Sequence, residues 1–308
     1  MKVVFMGTPD FSVAVLEELI RQKFDIKLVV SQPDKKVGRG QKYKATPIKK
    51  IALANDIEVF QPDNINEHVE VINDISPDFI ITCAYGQMLS ENILNCATIK
   101  AINVHASLLP KHRGGAPIHR AILNGDEYTG VSIMEMVKEM DAGDIFIQEK
   151  IKIEYKDTLA TVHDKLSSLG AKLLPLAIDK ILKNPNCGTH QNSMEVSYSP
   201  NISKKERLLN FDDSSRNIYN KVRAFNPFPC ATVMYDSNFI KILEVVELDK
   251  KSTKTAGVIV DITKEGIEVC TKDKNILITK LIIPGKSVMD ALQFYNGNKL
   301  LSVGKSFN

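Results

Sequence analysis

Two side chains that can stabilise developing charge lie two residues apart at the end of an apolar stretch. Residues 101–105 are Ala-Ile-Asn-Val-His, and a loop rich in proline and glycine follows them. Successive side chains of a strand alternate between its faces, so we expect Asn103 and His105 to point to the same side. A donor amide beside an imidazole that titrates near neutrality is suited to binding an oxyanion and handling a proton. This pair therefore indicates acyl-type transfer.

A third candidate group lies in the segment Met140-Asp141-Ala142-Gly143-Asp144, between two strand-like stretches. In one interpretation this segment is a polar hairpin, in which an aspartate caps a turn and Gly143 has a positive φ. In the other, a carboxylate reaches His105 and keeps the imidazole oriented and charged, or it takes a proton from an attacking amine through water. The spacing alone does not distinguish Asp141 from Asp144.

Four residues that follow the strand-like stretch 101–105, after Ala106, suggest a binding surface. They are Ser107, Leu108, Leu109 and Pro110. Apolar side chains in a loop stiffened by proline can line a slot for a flat heterocycle, while main-chain groups form hydrogen bonds along one of its edges. The alternative is a loop that packs both leucines into the core.

Strand-like and helix-like stretches alternate through the first part of the chain. We predict strands at 2–6, 26–31, 58–60, 79–83, 101–105, 129–136 and 145–153, and helices at 11–22, 47–54 and 158–182. This alternation is typical of an α/β fold with a Rossmann-like, mostly parallel sheet. Ligands of such sheets bind outside the carboxyl ends of the strands, where the candidate residues fall. A dinucleotide is disfavoured, because Gly7-Thr8-Pro9 lacks the GxGxxG pattern.

The last third of the chain has a different pattern. Around residues 187–203 the periodicity fades into Asn, Ser, Thr, Gly and Pro, which predicts a linker. Beyond it we expect a helix at 212–225 and a helix at 287–295. Between them we expect five short strands, near 231–235, 239–246, 256–261, 266–270 and 276–283. Short strands separated by turn residues predict a small β-barrel of the oligonucleotide-binding (OB-like) kind. We therefore divide the chain into a catalytic domain at 1–188, a linker at 189–205 and a β-barrel domain at 206–308.

The composition disfavours several classes of protein. Hydrophobic residues make up 44% and charged residues 25% of the chain, as in ordinary globular proteins. The five cysteines are odd in number and form no CxxC pair, which argues for reduced thiols and against a disulfide framework or a zinc site. No stretch approaches the roughly 20 apolar residues of a membrane span. We expect a cytoplasmic protein, with a monomer as the default.

Positive charge is concentrated in two regions. Residues 34–50 contain seven basic groups and one acid, and residues 203–308 contain 17 Lys and Arg against 12 Asp and Glu. A run of charge is usually a solvated surface. Two basic regions on either side of a chemical site nevertheless favour a polyanionic substrate such as a nucleic acid.

The candidate residues match a known pattern. Asn103-Val104-His105-x-Ser107-Leu108-Leu109-Pro110-x-x-Arg113-Gly114-x-x-Pro117, followed by Asp141-x-Gly143-Asp144, closely resembles the signature of the folate-dependent formyltransferases. Further similarities extend over nearly the whole chain, at residues 4–11, 32–34, 38–40, 60–62, 84–86 and 223–227. They are similar to the branch of that family that acts on initiator tRNA.

The resemblance implies transfer of a formyl group from 10-formyltetrahydrofolate to the α-amine of methionine on initiator tRNA. It implies Asn103, His105 and Asp141 as catalytic residues, and it thereby selects Asp141 over Asp144 by analogy. No metal is needed. The folate-binding residues would be Ser107, Leu108, Leu109, Pro110, Tyr85 and Gly86. The tRNA-binding residues would be Arg39, Lys35, Lys36, Lys42 and Lys44, with further support from the C-terminal barrel.

The segment Gln87-Met88-Leu89-Ser90 departs from the apolar-then-proline pattern of the family, so its effect on the folate pocket is open. Two alternatives to tRNA formylation remain. The first is a formyltransferase or formyl-folate hydrolase that acts on a small molecule, which would need neither the basic stretch nor the barrel. The second is a nucleic-acid-binding protein without activity, which the presence of all three candidate catalytic residues disfavours.

Overall fold

The computed structural model describes residues 1–37, 40–297 and 300–307, and it divides into two compact units. The first unit consists of Met1–Pro117, Tyr128–Lys152 and His163–Ser199. The second consists of Ile118–Glu127, Ile153–Val162 and Pro200–Asn308. The second unit includes two short segments, Ile118–Glu127 and Ile153–Val162, that lie within the predicted catalytic domain at 1–188. Periodicity in the sequence does not reveal such a grouping, since it depends on contacts between residues distant along the chain.

The first unit is built on a seven-stranded sheet, and it also contains a separate pair of strands. Its strands are β1 (Lys2–Gly7), β2 (Asp25–Val30), β3 (Lys35–Val37), β4 (Lys42–Lys44), β5 (Val59–Phe60), β6 (Phe79–Cys83), β7 (Lys100–His105), β8 (Tyr128–Glu135) and β9 (Ile145–Lys152). The strand order of the large sheet is β5-β2-β1-β6-β7-β8-β9. The first five of these run parallel, whereas β8 and β9 are antiparallel to their neighbours. The predicted mostly parallel sheet is thus confirmed.

The central strands of this sheet are covered on both faces. Val3, Val4, Phe5 and Met6 of β1 are all 0% exposed. A strand buried on both sides reads as a continuous apolar run, which is why β1 could be predicted. The helices in this part of the chain are α1 (Val13–Arg21), α2 (Pro47–Ala54), α3 (Val69–Ile75), α4 (Glu91–Leu94), α5 (Pro117–Asn124) and α6 (Leu159–Lys183). After its first residue α5 belongs to the second unit, and most of α6 belongs to the first.

The strand that carries the candidate pair is held closely by α6. A Cβ atom at Gly170 would lie 2.8 Å from Val104 Cγ1. Glycine therefore lets the helix approach β7 closely at Val104, near the end of the strand. Val104 points towards the helix, so the flanking residues Asn103 and His105 point to the opposite face of the strand.

Part of the basic stretch forms a hairpin of two short strands, which were not among the predicted strands. Strands β3 and β4 pair antiparallel, with Lys35 opposite Lys44 and Lys36 opposite Tyr43. Lysine-rich strands lack the alternation of apolar residues that marks a half-buried strand, so periodicity does not detect them. Arg39, the principal tRNA-binding candidate, lies outside the described residues.

Among its described residues, the second unit contains a six-stranded antiparallel sheet and, besides most of α5, the helices α7 and α8. Its further elements are α7 (Ser215–Ala224), β10 (Ala231–Tyr235), β11 (Asn238–Lys251), β12 (Ile259–Ile262), β13 (Ile267–Val269), β14 (Lys274–Ile282), β15 (Met289–Asp290) and α8 (Ala291–Gly297). The strand order is β10-β11-β14-β13-β12, and β15 pairs with β14. Across the described residues β10 and β12 are the two ends of this order and do not pair with each other. The expected OB-like barrel is therefore an open sheet.

The apolar core of the second unit explains why buried and less buried residues alternate along its strands. Inward-facing residues such as Val233, Ile242, Ile278 and Phe294 form one buried apolar cluster. Along β10 buried residues alternate with half-buried ones, and along the first part of β11 they alternate mostly with exposed ones. Register irregularities interrupt the pairing of β11 with β14 after Ile242. Such bulges bend and twist a strand, which lets a 14-residue strand curve around the cluster.

The burial of His119 in α5 predicts how the stability of the protein depends on pH. Burial lowers the pKa of His119 from 6.5 to about 4, with a smaller contribution from the charge of Arg120. The unfolded chain binds a proton at His119 at a higher pH than the folded protein does. The free energy of unfolding should therefore have its full value above pH 6.5 and decrease as the pH falls towards 4. The loss at pH 5 is about 2 kcal/mol. In His119→Gln this pH-dependent loss should be absent.

Denaturant unfolding at pH 7 and pH 5 measures this difference. The matched control is His190→Gln, because the His190 side chain is 88% exposed. An unchanged pH dependence in His119→Gln would show that His119 contributes nothing to acid sensitivity.

The five cysteines, at positions 83, 96, 187, 230 and 270, are free thiols. Burial raises the pKa of the Cys83 thiol to about 12, so this group is neutral at physiological pH. Over the described ranges, no helix is both long enough and apolar enough to cross a membrane.

Candidate active site

Asn103 is oriented by the neighbouring strand β6. The Thr82 hydroxyl, on a side chain that is 4% exposed, donates to Asn103 Oδ1 at 2.8 Å. The other acceptors near this hydroxyl are Ile102 O at 3.4 Å and the sulfur of Met136, which are poorer partners. With the amide oxygen occupied, the NH₂ group of Asn103 is left free to donate to a bound molecule.

His105 is held with a defined proton position. Its Nε2 lies 3.0 Å from the backbone oxygen of His112. A carbonyl oxygen only accepts, so Nε2 carries hydrogen whether the ring is neutral or charged. Nδ1 is then the nitrogen that gains or loses a proton, and it lies 3.6 Å from Asp141 Oδ1. This separation is too long for a direct hydrogen bond, so a protonated Nδ1 attracts the carboxylate while its hydrogen remains available to a third group.

Asp141 reaches His105 from the loop between β8 and β9. Its second carboxylate oxygen, Oδ2, accepts a hydrogen bond from the backbone N–H of Gly114 at 2.8 Å. The side chain of Asp141 is 15% exposed, whereas that of Asp144 is 41% exposed and contacts His190 Nδ1 at 3.1 Å. The structure therefore brings Asp141, and not Asp144, to His105.

The Asp141 loop is supported by a buried arginine. Arg113, which is 9% exposed, donates from Nε and Nη2 to Gln191 Oε1 at 3.1 and 2.7 Å. The other end of the Gln191 amide donates to the backbone oxygens of Asp141 and Gly143 at 2.8 and 2.7 Å. A chain of hydrogen bonds thus connects the signature arginine to the backbone that carries the carboxylate.

The backbone at His112 is also held on several sides. The residue has φ +63° and is 8% exposed. Its N–H donates to Ser197 Oγ at 2.9 Å, and its ring Nδ1 lies 2.8 Å from Ser199 Oγ. A left-handed conformation is uncommon for a residue other than glycine, and it persists only where surrounding contacts hold it. These contacts direct the His112 carbonyl towards His105.

A small cavity lies against Asn103 and Asp141. Its volume is about 50 Å³. The residues that line it are Gln87, Met88, Leu89, Asn103, Met134, Met136, Val137, Met140 and Asp141. A volume of this size holds a formyl group or a water molecule but is too small for a fused ring system. Four methionines give it a polarisable and adaptable wall.

The main chain of the predicted heterocycle slot is largely used within the protein. Ser132 Oγ donates to Ser107 O at 2.7 Å and accepts from Leu109 N at 3.2 Å. The Gln148 amide donates to Leu109 O at 2.9 Å, and Leu109 is 3% exposed. The backbone oxygen of Leu108 accepts from Lys111 N at 3.1 Å, and that of Pro110 accepts from Ser197 N at 3.3 Å. A ligand here would have to use the remaining lone pairs of these carbonyls or the N–H groups of Ser107 and Leu108, which have no partner among the described residues.

Tyr85 and Gly86 differ from each other in accessibility. Tyr85 is 3% exposed and packs in an apolar cluster with Val30, Ile65 and Leu89. Burial raises the pKa of its hydroxyl to about 12. Gly86 is exposed and has φ +95°, a conformation that glycine adopts without strain. At this segment, therefore, a ligand can reach the backbone of Gly86 more readily than the ring of Tyr85.

Two family models match successive parts of the chain. A model described as formyl transferase matches residues 1–178, and a model described as formyl transferase, C-terminal domain, matches residues 201–299. The chain belongs to the formyl transferase family. The first match contains Asn103, His105 and Asp141, so the site described above lies within the part of the chain that defines this family.

Curated formyltransferases resemble the chain over its full length. A protein from Mesoplasma florum named methionyl-tRNA formyltransferase is 43% identical over 309 residues, which cover 100% of this chain and 99% of the relative. A protein of the same name from Macrococcus caseolyticus is 41% identical over 311 residues, with the same coverage. A third, from Staphylococcus aureus, is 40% identical over 307 residues, or 99% and 98% of the two chains.

Solved structures of formyltransferases share the fold. The N-formyltransferase from Helicobacter canadensis, in complex with folinic acid and dTDP-3-aminofucose, has a TM-score of 0.68 at 21% identity and covers 90% of this chain and 98% of its own. HypX from Aquifex aeolicus in complex with tetrahydrofolic acid has a TM-score of 0.67 at 15% identity, and the match covers 100% of this chain and 50% of HypX. At these identities the likeness describes the fold of this formyl transferase and not its substrate.

Several residues of this site were not among the sequence candidates. Thr82, His112, Gln191, Ser197 and Ser199 hold the three candidate side chains or their backbone. Gln191, Ser197 and Ser199 lie in the expected linker, where polar composition predicted an absence of regular structure. Their positions could not be found from the sequence, because a polar residue in a linker looks the same whether it faces solvent or a buried arginine.

Gly143 is required for space, whereas the sequence suggested a requirement for positive φ. The residue with positive φ in this loop is Asp141, at +52°. A Cβ atom at Gly143 would lie 2.1 Å from the backbone oxygen of Glu135. In Gly143→Ala the loop must move away from β8, and the Asp141 carboxylate must move with it. We expect formyl transfer to fall about 10²-fold in kcat/KM, since small misplacements have effects of this size.

Steady-state kinetics of the folded variant measure this loss. Gly297→Ala is the control, because in the described part of the chain no atom outside its own neighbours lies within 4 Å of a Cβ there. Wild-type activity in Gly143→Ala would show that the loop tolerates the shift and that the position of Asp141 is not critical.

Proposed function

We propose that the chain transfers the formyl group of 10-formyltetrahydrofolate to the α-amine of methionine on initiator tRNA, as required for translation initiation. The observation that carries this proposal is the likeness to proteins named methionyl-tRNA formyltransferase, at 40–43% identity over 99–100% of the chain. Relatives matched over both units support a shared substrate better than a shared fold does, because fold alone does not specify function. The proposal includes action in the cytoplasm as a monomer.

The proposed catalytic residues are Asn103, His105 and Asp141. When a neutral amine adds to a formyl carbon, the formyl oxygen becomes negative and the nitrogen becomes positive. The Asn103 NH₂ group donates to that oxygen, which is consistent with the Thr82 hydroxyl occupying the amide oxygen. Protonated His105 Nδ1 supplies positive charge beside the same oxygen.

Asp141 has two roles in this proposal. Its carboxylate lies 3.6 Å from His105 Nδ1 and orients the imidazole. The same carboxylate accepts a proton from the attacking amine, directly or through water, and passes it towards the departing folate nitrogen. The hydrogen bond from Gly114 N to Oδ2 leaves Oδ1 for these contacts. The folate supplies the activated one-carbon unit, and the protein supplies orientation and charge.

The proposed folate-binding residues are Ser107, Leu108, Leu109, Pro110, Tyr85 and Gly86, with the last two acting through the backbone. To these we add Gln87, Met88 and Leu89, because they line the cavity beside Asn103 and Asp141. The cavity accommodates the formyl end of the donor, and its methionine side chains can shift to accept a flat ring. Three of the four residues that depart from the family pattern, Gln87, Met88 and Leu89, therefore lie in the wall of the cavity.

The proposed tRNA-binding residues are Arg39, Lys35, Lys36, Lys42 and Lys44. The four lysines are exposed on β3 and β4, where phosphates can reach them. The proposal for Arg39 rests on the family resemblance. The excess of basic residues at 203–308 is consistent with additional phosphate contacts by the second unit.

The decisive experiment supplies purified protein with 10-formyltetrahydrofolate and methionyl initiator tRNA, and it detects formylmethionine after hydrolysis of the ester. Parallel reactions contain free methionine or an amino sugar linked to a nucleotide. We expect product with the charged tRNA alone, at a rate that falls steeply as salt increases because phosphate contacts release counterions. Formylation of the amino sugar without formylation of the tRNA would replace this proposal with the small-molecule alternative.

A further inference from the structure

One wall of the cavity in the candidate active site is a segment that belongs to no helix or strand. Residues 87–89 form this wall. The chain enters the segment through Gly86, whose φ is +95°, and leaves it at Ser90, which caps the N-terminus of α4. In the described part of the chain, residues 86–89 form no hydrogen bond with another backbone group. Contacts other than a strand or helix ladder must therefore hold this wall.

Asn66 holds the far end of the wall with both ends of its side-chain amide. Asn66 Nδ2 donates to the backbone oxygen of Met88 at 2.9 Å, and Asn66 Oδ1 accepts from the backbone N–H of Ser90 at 2.7 Å. A carbonyl only accepts and an N–H only donates, so these two partners fix which way the amide points. The side chain thus satisfies two backbone groups in the way that a neighbouring strand would.

Gln87 makes the reciprocal contact from the wall. Its Oε1 accepts from the backbone N–H of Ile65 at 3.0 Å, and its Nε2 donates to the backbone oxygen of Asp63 at 3.0 Å. The two amides therefore join residues 63–66 to residues 87–90 by four hydrogen bonds. We call these four bonds the amide clasp.

The two sides of the amide clasp differ in how firmly they are anchored. Ile65 is 0% exposed and belongs to the apolar cluster that contains Val4 and Ile80 of the central strands. In the wall, Leu89 joins the same cluster, but Met88 is 52% exposed. The backbone at Met88 therefore gains little from burial, and the amide of the clasp connects it to the core.

We propose that Asn66 is a positioning residue for the formyl donor, because it holds the backbone of Met88 and Ser90 so that the wall is in place before the donor binds. This inference rests on the proposed function and assigns a residue to the binding of its donor. The donor is the ligand concerned because its formyl carbon must lie beside Asn103 and Asp141, and the same cavity borders both. A wall that is already ordered avoids the loss of affinity that ordering on binding would cause.

The kinetic test compares Asn66→Ala with Asn92→Ala, a control on the exposed surface of α4. We expect Asn66→Ala to raise the KM for 10-formyltetrahydrofolate roughly tenfold, because the donor must then order at least one backbone residue of the wall. The kcat at saturating donor and the KM for methionyl-tRNA should stay within about twofold of wild type, as should every constant of Asn92→Ala. A higher KM for methionyl-tRNA with an unchanged KM for the donor would overturn the inference.

A second substitution separates loss of rigidity from a general loss of stability. Ser90 has φ −70°, which lies within the range that a proline ring imposes. Ser90→Pro removes the N–H that Asn66 accepts but restricts the same backbone, so we expect the KM for the donor to stay within about threefold of wild type. In this background Asn66→Ala should have a clearly smaller effect. Equal effects of Asn66→Ala in both backgrounds would show that its amide does not act by restraining the wall.

Hydrogen exchange tests the amide clasp without relying on catalysis. In the absence of substrates, we expect a peptide that covers residues 86–91 to exchange faster in Asn66→Ala than in wild type or Asn92→Ala. The stable donor analogue 5-formyltetrahydrofolate should restore protection. Unchanged exchange in Asn66→Ala, or no protection by the analogue, would overturn the inference. If wild-type protein forms no formylmethionine while both effects are observed, the proposed function fails but the assignment of Asn66 stands.

Discussion

Replacing Asn103 by alanine is expected to lower the rate of formyl transfer by about 10²–10³, the usual effect of removing one oxyanion donor. The change acts mainly on kcat, because the amide donates most strongly when the formyl oxygen becomes negative. The binding of either substrate should change much less. Single-turnover rates with saturating donor and charged tRNA isolate the chemical step and measure this loss.

Thr82→Val is the companion variant for Asn103. It keeps the size of the side chain and removes the hydroxyl that donates to Asn103 Oδ1. The amide is then free to turn, so we expect a smaller loss of roughly tenfold. If Asn103→Ala retained activity within tenfold of wild type, the amide would not be the oxyanion donor, whatever the effect of Thr82→Val.

Asp141→Asn is expected to lower kcat by about 10²–10⁴, in the range of a lost general base together with its electrostatic effect. The asparagine oxygen can still accept from Gly114 N, so the loop should keep its conformation. Its NH₂ group would then face His105 Nδ1. Because Nε2 already holds hydrogen against the His112 carbonyl, this new donor favours the neutral ring and removes the positive charge beside the formyl oxygen.

Asp144→Asn is the matched control for Asp141→Asn. Both residues lie in the same loop and both substitutions remove one negative charge, but Asp144 contacts the exposed side chain of His190. We expect its kcat to stay within about twofold of wild type, because a largely exposed ion pair contributes little. Equal losses in the two variants would show that net charge in the loop matters, and not the contact of Asp141 with His105.

The strands were predictable where burial on both faces or on one face leaves a pattern in the sequence. The predicted stretches at 79–83 and 231–235 coincide with β6 and β10. The β3–β4 hairpin was missed because four of its six residues are lysines, which carry no signal of a buried face. The OB-like barrel was expected from short alternating strands, but alternation predicts a one-sided sheet and does not predict whether its two ends meet.

Some features of the candidate site depend on neighbours in the sequence, and others depend on residues far along the chain. The common orientation of Asn103 and His105 follows from alternation along one strand. The choice of Asp141 over Asp144 came by analogy, and the structure separates the two residues by the fold of their loop. The tautomer of His105 depends on the His112 carbonyl, whose direction depends on Ser197 and Ser199, about 85 residues further along the chain.

The sequence by itself determined the element types, the family signature and the pair of charge-handling side chains at the end of β7, because these depend on neighbours within a few residues. Only the tertiary structure decided which aspartate reaches His105, which nitrogen of that ring can exchange a proton, and which polar residues of the apparent linker support the site. Asp141 lies 36 positions from His105, and the His112 backbone that fixes the ring nitrogen is held by Ser197 and Ser199, 85 and 87 positions away. No local periodicity records such contacts.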